Sequence, residues 1–138
     1  MRFPYRGAGI GLVKDGSILL GKRDDRPFKG QWCVPGGGRE KGDDSELNNA
    51  IREFSEETGV DFSCLDAKPI GSWKLRLPFF SWCTFFYSID SFTASFSLDE
   101  FSEIEWVSLV EVGRKKHLRP FAKSEVRRLS KLLRSQQV

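Results

Sequence analysis

The sequence predicts a single mixed α/β domain, and three observations predict it. Ala8 to Val13 and Ile18 to Lys22 flank Asp15-Gly16, the pattern of two strands joined by a tight hairpin turn. Leu47, Ala50, Ile51 and Phe54 recur at the i, i+3, i+4, i+7 spacing of a helix with one buried face. Two more strand-like stretches, 67–77 and 79–89, precede a segment in which Val126, Leu129, Leu132 and Leu133 repeat the helical stripe. A chain of 138 residues buries about two-thirds of its unfolded surface as one domain. Neither an internal repeat nor a low-complexity stretch divides it, so residues 1–138 are expected to form one unit.

Each element has a local cause. The first strand carries Gly7, Gly9 and Gly11, which do not form a Gly-x-Gly-x-x-Gly fingerprint and are not followed by a helix. They are expected to let a neighbouring element approach closely. Asp24 to Gln31, with Pro27 and Gly30, reads as a loop, and Trp32 to Val34 as a short strand. Gly36, Gly37 and Gly38 predict a second loop, because three glycines weaken any regular element. Asp43 and Glu46 have the form of a capping box for the helix that follows, and Gly59 is its natural C-cap. Pro78 separates the next two strands. The second of them holds Phe79, Phe80, Trp82, Phe85, Phe86 and Tyr87; it reads as a buried sheet strand, with base stacking as the alternative use of its rings. Ile104 to Val107 reads as a short strand, Leu109 to Val112 as a helical turn, and Pro120 as the start of the last helix.

The charges on the first helix do not follow from stability. Glu53, Glu56 and Glu57 stand at i, i+3, i+4, where like charges repel by a few tenths of a kcal/mol per pair. They also occupy the last turns, where the helix dipole favours cations. An array of hard oxygen ligands for Mg²⁺ or Mn²⁺ accounts for this placement; a solvated acidic face is the bland alternative. His117 is the one histidine and reads as a surface residue, while Cys33, Cys64 and Cys83 lack metal-site spacing. Carboxylates and backbone carbonyls are therefore the ligands on offer, which selects hard divalent ions.

The segment Arg52-Glu53-Phe54-Ser55-Glu56-Glu57-Thr58-Gly59-Val60 resembles the second half of the Nudix box at every fixed position. The first half departs from it, with Asp in place of the usual Glu. Counting back from Arg52 gives Asp44 with Gly38 leading, and counting forward from Pro35-Gly36-Gly37 gives Asp43. Both assignments stay open in the sequence. Lys22-Arg23, Gly30-x-Trp32 and Pro35-Gly36-Gly37 resemble the family's lead-in, so the likeness runs from about Ala8 to Val60. The resemblance implies an α/β fold, the Nudix α/β/α sandwich with a mixed sheet. It also implies metal-assisted attack of water on the pyrophosphate of a nucleoside diphosphate derivative.

Carried over residue by residue, the resemblance implies a metal set of Glu53, Glu56, Glu57 and the carbonyl of Gly37, with Arg52 orienting Glu53. Mg²⁺ is the implied ion, with Mn²⁺ as its substitute. Glu100, six residues before Trp106, matches an additional acid found in several relatives, with Asp99 and Glu103 as rivals. Glu56, Glu57 and Glu100 are the alternatives for the general base. The implied substrate contacts are Arg23, Trp32, Gly36, Gly37 and Gly38. Lys74 stands where ADP-ribose relatives carry Pro, and Ala122-Lys123-Ser124 where MutT-like enzymes carry Asn, while Leu20-Gly21-Lys22-Arg23 through Trp32 resembles the nucleotide-sugar branch, which alters the box; the reading leans towards a (d)NTP or a nucleotide sugar. A Nudix-fold module that binds a nucleotide or RNA without turnover is the alternative.

Composition bounds the rest. The chain is 39% hydrophobic and 30% charged with a net charge of +3, ordinary for a soluble globule and too low for a nucleic-acid coat. The resemblance implies a small nucleotide as partner, a nucleic acid or a membrane is not expected, and a homodimer is compatible with the chain. Met1-Arg2-Phe3-Pro4 does not read as a signal peptide, and the odd cysteine count fits free thiols, so a cytoplasmic setting is expected.

Overall fold

The computed structural model describes residues 4–24, 29–92, 95–97 and 101–136. Its sheet is built outward from Tyr5–Lys14 (β1). Asp15 and Gly16 turn the chain with φ of 51° and 74°, the left-handed pair that a two-residue hairpin needs, and Ser17–Arg23 (β2) returns antiparallel. Beyond Val13↔Ile18 the two strands part. Trp32–Cys33 (β3) then pairs with β2, and Gly36–Gly38 (β4) pairs antiparallel with β1. On the other edge of β1, Phe80–Ser88 (β6) runs parallel to it and carries Lys68–Arg76 (β5) antiparallel. Phe101–Ser108 (β7) closes the far edge of β2. One parallel contact within antiparallel ladders makes the sheet mixed.

Strand alternation explains the layering. Ala8, Ile10 and Leu12 of β1 face one side with Cys83 of β6, and there they meet Ala50 and Phe54 of Glu46–Thr58 (α1). Trp82 and Phe86 face the other side, with Leu129 of Ala122–Ser135 (α2). A helix on each face of a mixed sheet gives the α/β/α sandwich.

The glycines are the price of fitting Trp82 into this sheet. A Cβ at Gly7, Gly9 or Gly36 would lie 2.8–2.9 Å from the Trp82 ring, and one at Gly11 would lie 2.5 Å from Phe86. The expected close approach along β1 is thus an indole laid flat on the strand. It also corrects the reading of 36–38 as a loop. Gly36↔Gly9, Gly37↔Ala8 and Gly38↔Gly7 form a ladder, because a strand without side chains fits where the fully buried Trp82 leaves no room for them.

Two helix boundaries also differ from expectation. Ser45 caps α1, its hydroxyl accepting from the Asn48 N–H at 3.1 Å, while Asp43 is drawn to Arg52 instead. After β7 the chain forms a short 3₁₀ turn at Val112–Arg114, later than expected from Leu109. The C-cap at Gly59 is as expected, with φ 74° and its N–H bonded to the Ser55 carbonyl at 3.0 Å. His117 is exposed in a turn, and its carbonyl accepts the Trp32 N–H at 2.8 Å. Among the described residues no helix is long and apolar enough to cross a membrane.

Candidate active site

Strand β4 lies over the start of α1, and the loop between them is organised by one side chain. Arg52 donates through Nε and Nη2 to the two carboxylate oxygens of Asp43, at 2.8 and 2.9 Å. Nη2 also reaches the Gly38 carbonyl at 2.9 Å. From Nη1 it bonds Glu53 at 3.0 Å and Glu56 at 3.1 Å. One guanidinium therefore fastens the loop to the helix and orients two of the three glutamates, which its planar fork allows and an ammonium would not. The hydrogen bonds from Arg52 hold the Asp43 carboxyl below its ordinary pKa and raise that of the guanidinium.

This geometry chooses between the two aspartates. Asp43 is 7% exposed, takes both Arg52 bonds, and accepts the Glu40 N–H at 2.8 Å. Asp44, the residue before the Ser45 cap, is exposed. The Arg52 contact belongs to Asp43.

The third glutamate has a different cation. Glu57 is 0% exposed, ion-paired with Arg23 Nη1, and accepts the Gly36 N–H at 2.5 Å. A bulge between Lys22 and Arg23 re-aims the end of β2, and Arg23 sits with its Cζ 5.1 Å from the centre of the Phe101 ring. The same guanidinium donates to the Gly36 carbonyl at 3.2 Å. Gly36 is thus held by Glu57 through its N–H and by Arg23 through its carbonyl.

Glu53 packs directly on the glycine strand: a Cβ on Gly37 would lie 2.6 Å from the carboxyl carbon. Only glycine lets this carboxylate rest on the backbone. Glu53 lines a cleft of about 460 Å³ together with Tyr5, Arg6, Gly38, Arg39 and Glu40. The Tyr5 ring stacks on Phe80 at 5.3 Å, and burial pushes its hydroxyl up to about 12, with the Glu53 charge adding to the shift.

Of the residues the sequence singles out, the structure gathers Arg23, Gly36, Gly37, Gly38, Arg52, Glu53, Glu56 and Glu57 around one loop–helix junction. Trp32 is buried with the Lys115 ammonium 3.7 Å over its ring, outside the described lining of the Glu53 cleft. Asp99 and Glu100 lie outside the described residues. Among the described residues no three His, Cys, Asp or Glu side chains converge as a ready cation cage. The donors fit a hard divalent cation in kind, being carboxylates and carbonyls set on a strand with no side chains in the way.

Two further participants carry no motif in the sequence. Asn49 is buried, and its Nδ2 donates to the Gly37 and Gly38 carbonyls at 3.2 and 3.4 Å. Behind the sheet, Glu125 is buried and accepts the Thr84 hydroxyl, while the Trp82 Nε1–H donates to Thr84 at 2.7 Å. Burial raises the Glu125 carboxyl to about 7. Arg119 lies over the other face of this group, its Cζ 4.7 Å from the Trp82 ring.

Comparison with known proteins fits this arrangement. Residues 4–129 match the family model of the NUDIX domain. The chain is 40% identical over 67 residues to RNA pyrophosphohydrolase of Sphingopyxis alaskensis, an alignment covering 47% of this chain and 41% of that protein. It is 33% identical over 116 residues to mouse nucleoside diphosphate-linked moiety X motif 6, covering 80% of this chain and 36% of that one. The chain thus spans less than half the length of these relatives. A Caenorhabditis elegans Ap4A hydrolase, solved as a binary complex, shares the fold with a TM-score of 0.78 at 20% identity, over 94% of this chain and 99% of that one.

Proposed function

The chain belongs to the Nudix family, and on that premise we propose that it is a pyrophosphohydrolase. Its reaction would be attack of water on the pyrophosphate bond of a nucleoside diphosphate derivative, with Mg²⁺ or Mn²⁺ bound. One observation carries the reading: the Glu53 carboxylate is seated on Gly37 in a cleft whose rim bears Arg6 and Arg39. An anhydride of phosphates needs fixed acidic ligands beside fixed cations, and this cleft offers both.

The cation would be held by Glu53, Glu56, Glu57 and the Gly37 carbonyl, and would neutralise charge on the reacting phosphates. Arg52 is a positioning residue for Glu53 and Glu56, which it bonds directly. Glu56 is the strongest of the three general-base alternatives. Its side chain is 51% exposed, whereas Glu57 is enclosed with both oxygens engaged. In the proposed step a water oxygen bonds phosphorus, the bridging P–O bond breaks with its electron pair leaving on the departing phosphate, and Glu56 takes the water proton. Gly38 lines the cleft and would touch substrate, the buried Arg23 holds Gly36 through its carbonyl, and the buried Trp32 stands apart under Lys115. The substrate is proposed to be a (d)NTP or a nucleotide sugar.

The Arg23–Glu57 pair favours one second reading, a module that binds a nucleotide without turnover, because it takes one of the three glutamates. Phosphate release from a panel of nucleotides separates the two. Turnover of at least one nucleoside diphosphate derivative, abolished by exhaustive chelation, is expected. Binding without release on the whole panel, or turnover that survives chelation, overturns the proposal.

A further inference from the structure

A second cleft, of about 280 Å³, opens beside the first and shares Arg6 and Arg39 with it. Its far wall is Arg76, the last residue of β5, and Glu46 and Asn49 of α1 also line it. Three separate chain segments thus bring three guanidinium groups to one hollow. Among the described residues each is steadied by one bond. Arg6 Nη1 donates to the Tyr5 carbonyl at 3.1 Å, Arg39 Nη2 to the Asp43 carbonyl at 3.1 Å, and Arg76 Nη2 to Glu46 at 2.8 Å. Against the described residues, most of the N–H donors of each guanidinium remain uncommitted.

Stability does not explain the arrangement. The Arg76–Glu46 pair is exposed, and such pairs contribute about 0–1 kcal/mol. Glu46 is also the lone carboxylate in the described lining, so three cations face one anion. A hollow of that charge, sharing Arg6 and Arg39 with the Glu53 cleft, suits an oxyanion chain that starts at Glu53 and runs outward. Planar forks bind phosphate oxygens in pairs, which a scatter of lysines would not do.

We propose that the Arg6–Arg39–Arg76 hollow is a phosphate-chain subsite. It takes the part of a polyphosphate that extends past the anhydride cut at Glu53, and so selects nucleotides with three or more phosphates over two-phosphate conjugates such as nucleotide sugars. The inference rests on the hydrolytic reading for its orientation, but not for its test.

The test is calorimetric binding of inorganic tripolyphosphate and pyrophosphate to the whole protein without divalent metal. Tripolyphosphate is expected to bind at least tenfold tighter than pyrophosphate. Arg76→Ser should weaken tripolyphosphate at least tenfold and pyrophosphate less than threefold, with a melting curve to verify the fold. Arg76→Gln, which keeps the side-chain stem, should behave alike and carries the comparison if the Ser variant misfolds. In kinetics, the kcat/KM ratio of a nucleoside triphosphate to a nucleotide sugar should fall at least tenfold in either variant. Equal binding of the two phosphates, or tripolyphosphate binding within threefold of the parent in both variants, overturns the subsite. If no nucleotide is turned over, the hydrolytic reading fails, while tripolyphosphate binding still decides the subsite.

Discussion

Asp43→Asn tests the organisation of the loop most directly. The carboxylate accepts two N–H groups from Arg52 and one from the Glu40 backbone, all within 2.9 Å, at a site only 7% exposed. The amide keeps the volume but turns an NH₂ towards a guanidinium, so at least one of these bonds becomes a donor–donor contact. Hydrogen bonds to charged groups contribute about 1.5–3 kcal/mol each. Arg52 retains some contact with water, with 22% of its side chain exposed, and it retains Glu53 and Glu56, which discounts the loss. A net cost of about 2–3 kcal/mol follows, or roughly 6–12 °C in Tm for a chain of this size. The effect depends on pH in a definite direction. The Asp43 pKa is lowered below its usual 3.8, so its contribution is full above that value and disappears as pH falls through the folded-state pKa. Parent and variant should therefore differ at neutral pH and converge in strong acid. Asp44→Asn is the control, expected within about 0.5 kcal/mol of the parent because Asp44 is exposed. Urea melts of the three proteins at pH 7 decide the matter. Equal losses at the two positions, or a larger one at Asp44, would refute the assignment.

Other consequences follow from the same geometry. Glu56→Gln should leave the melting curve nearly unmoved, since the side chain is half exposed, yet lower kcat by about 10²–10⁴-fold; turnover within about threefold of the parent would remove Glu56 as the base. Saturating Mg²⁺ should raise Tm by linkage, because the cation binds only where the glutamates are gathered, and a superimposable melt with and without Mg²⁺ would count against the metal set. The Glu125 carboxyl is raised from 4.5 to about 7, so between those pH values the folded protein holds a proton that the unfolded chain has released. Stability should fall as pH rises through that window, by up to about 3 kcal/mol, and Glu125→Gln should abolish the fall. Parallel pH profiles of parent and variant would exclude this.

The hairpin, both helices and the β5–β6 pair were legible in the sequence because their signals are local: a turn dipeptide, a 3.6-residue period, a run of aromatic residues. The strand at Gly36–Gly38 was not, because its cause is remote. Three glycines argue for a loop until Trp82, far along the chain, is known to lie against them. The Asp43/Asp44 ambiguity has the same origin, since one residue of slack in a loop cannot be settled without the guanidinium that closes it. Ser45 is hidden in the sequence because Asp43–Glu46 fits the capping-box spacing equally well, and only the fold shows that Asp43 has a stronger partner in Arg52. Asn49 and Glu125 left a readable trace. Glu125 lies on the buried face of its helix with Ala122 and Leu129, the usual sign of a side chain with an internal partner, while Asn49 stands four residues before Glu53, on the helix row that carries the acidic side chains.

The acidic helix also explains why the arginines stand where they do. Glu53, Glu56 and Glu57 crowd the wrong end of the helix dipole, so folding requires that their repulsion be offset. Arg52 does this for Glu53 and Glu56 from the same helix, and Arg23 does it for Glu57 from the end of β2. Asp43, Glu53, Glu56 and Glu57 still outnumber those two guanidinium groups, leaving the frame net negative. In the adjoining hollow, which shares Arg6 and Arg39 with the Glu53 cleft, Arg6, Arg39 and Arg76 outnumber Glu46. The two surpluses are opposite in sign and share a wall. A divalent cation alone would be drawn to the first, and an anion alone to the second. On the proposed reading, a polyphosphate carrying its own cation would satisfy both at once, and spanning the two clefts would bring its anhydride to Glu53.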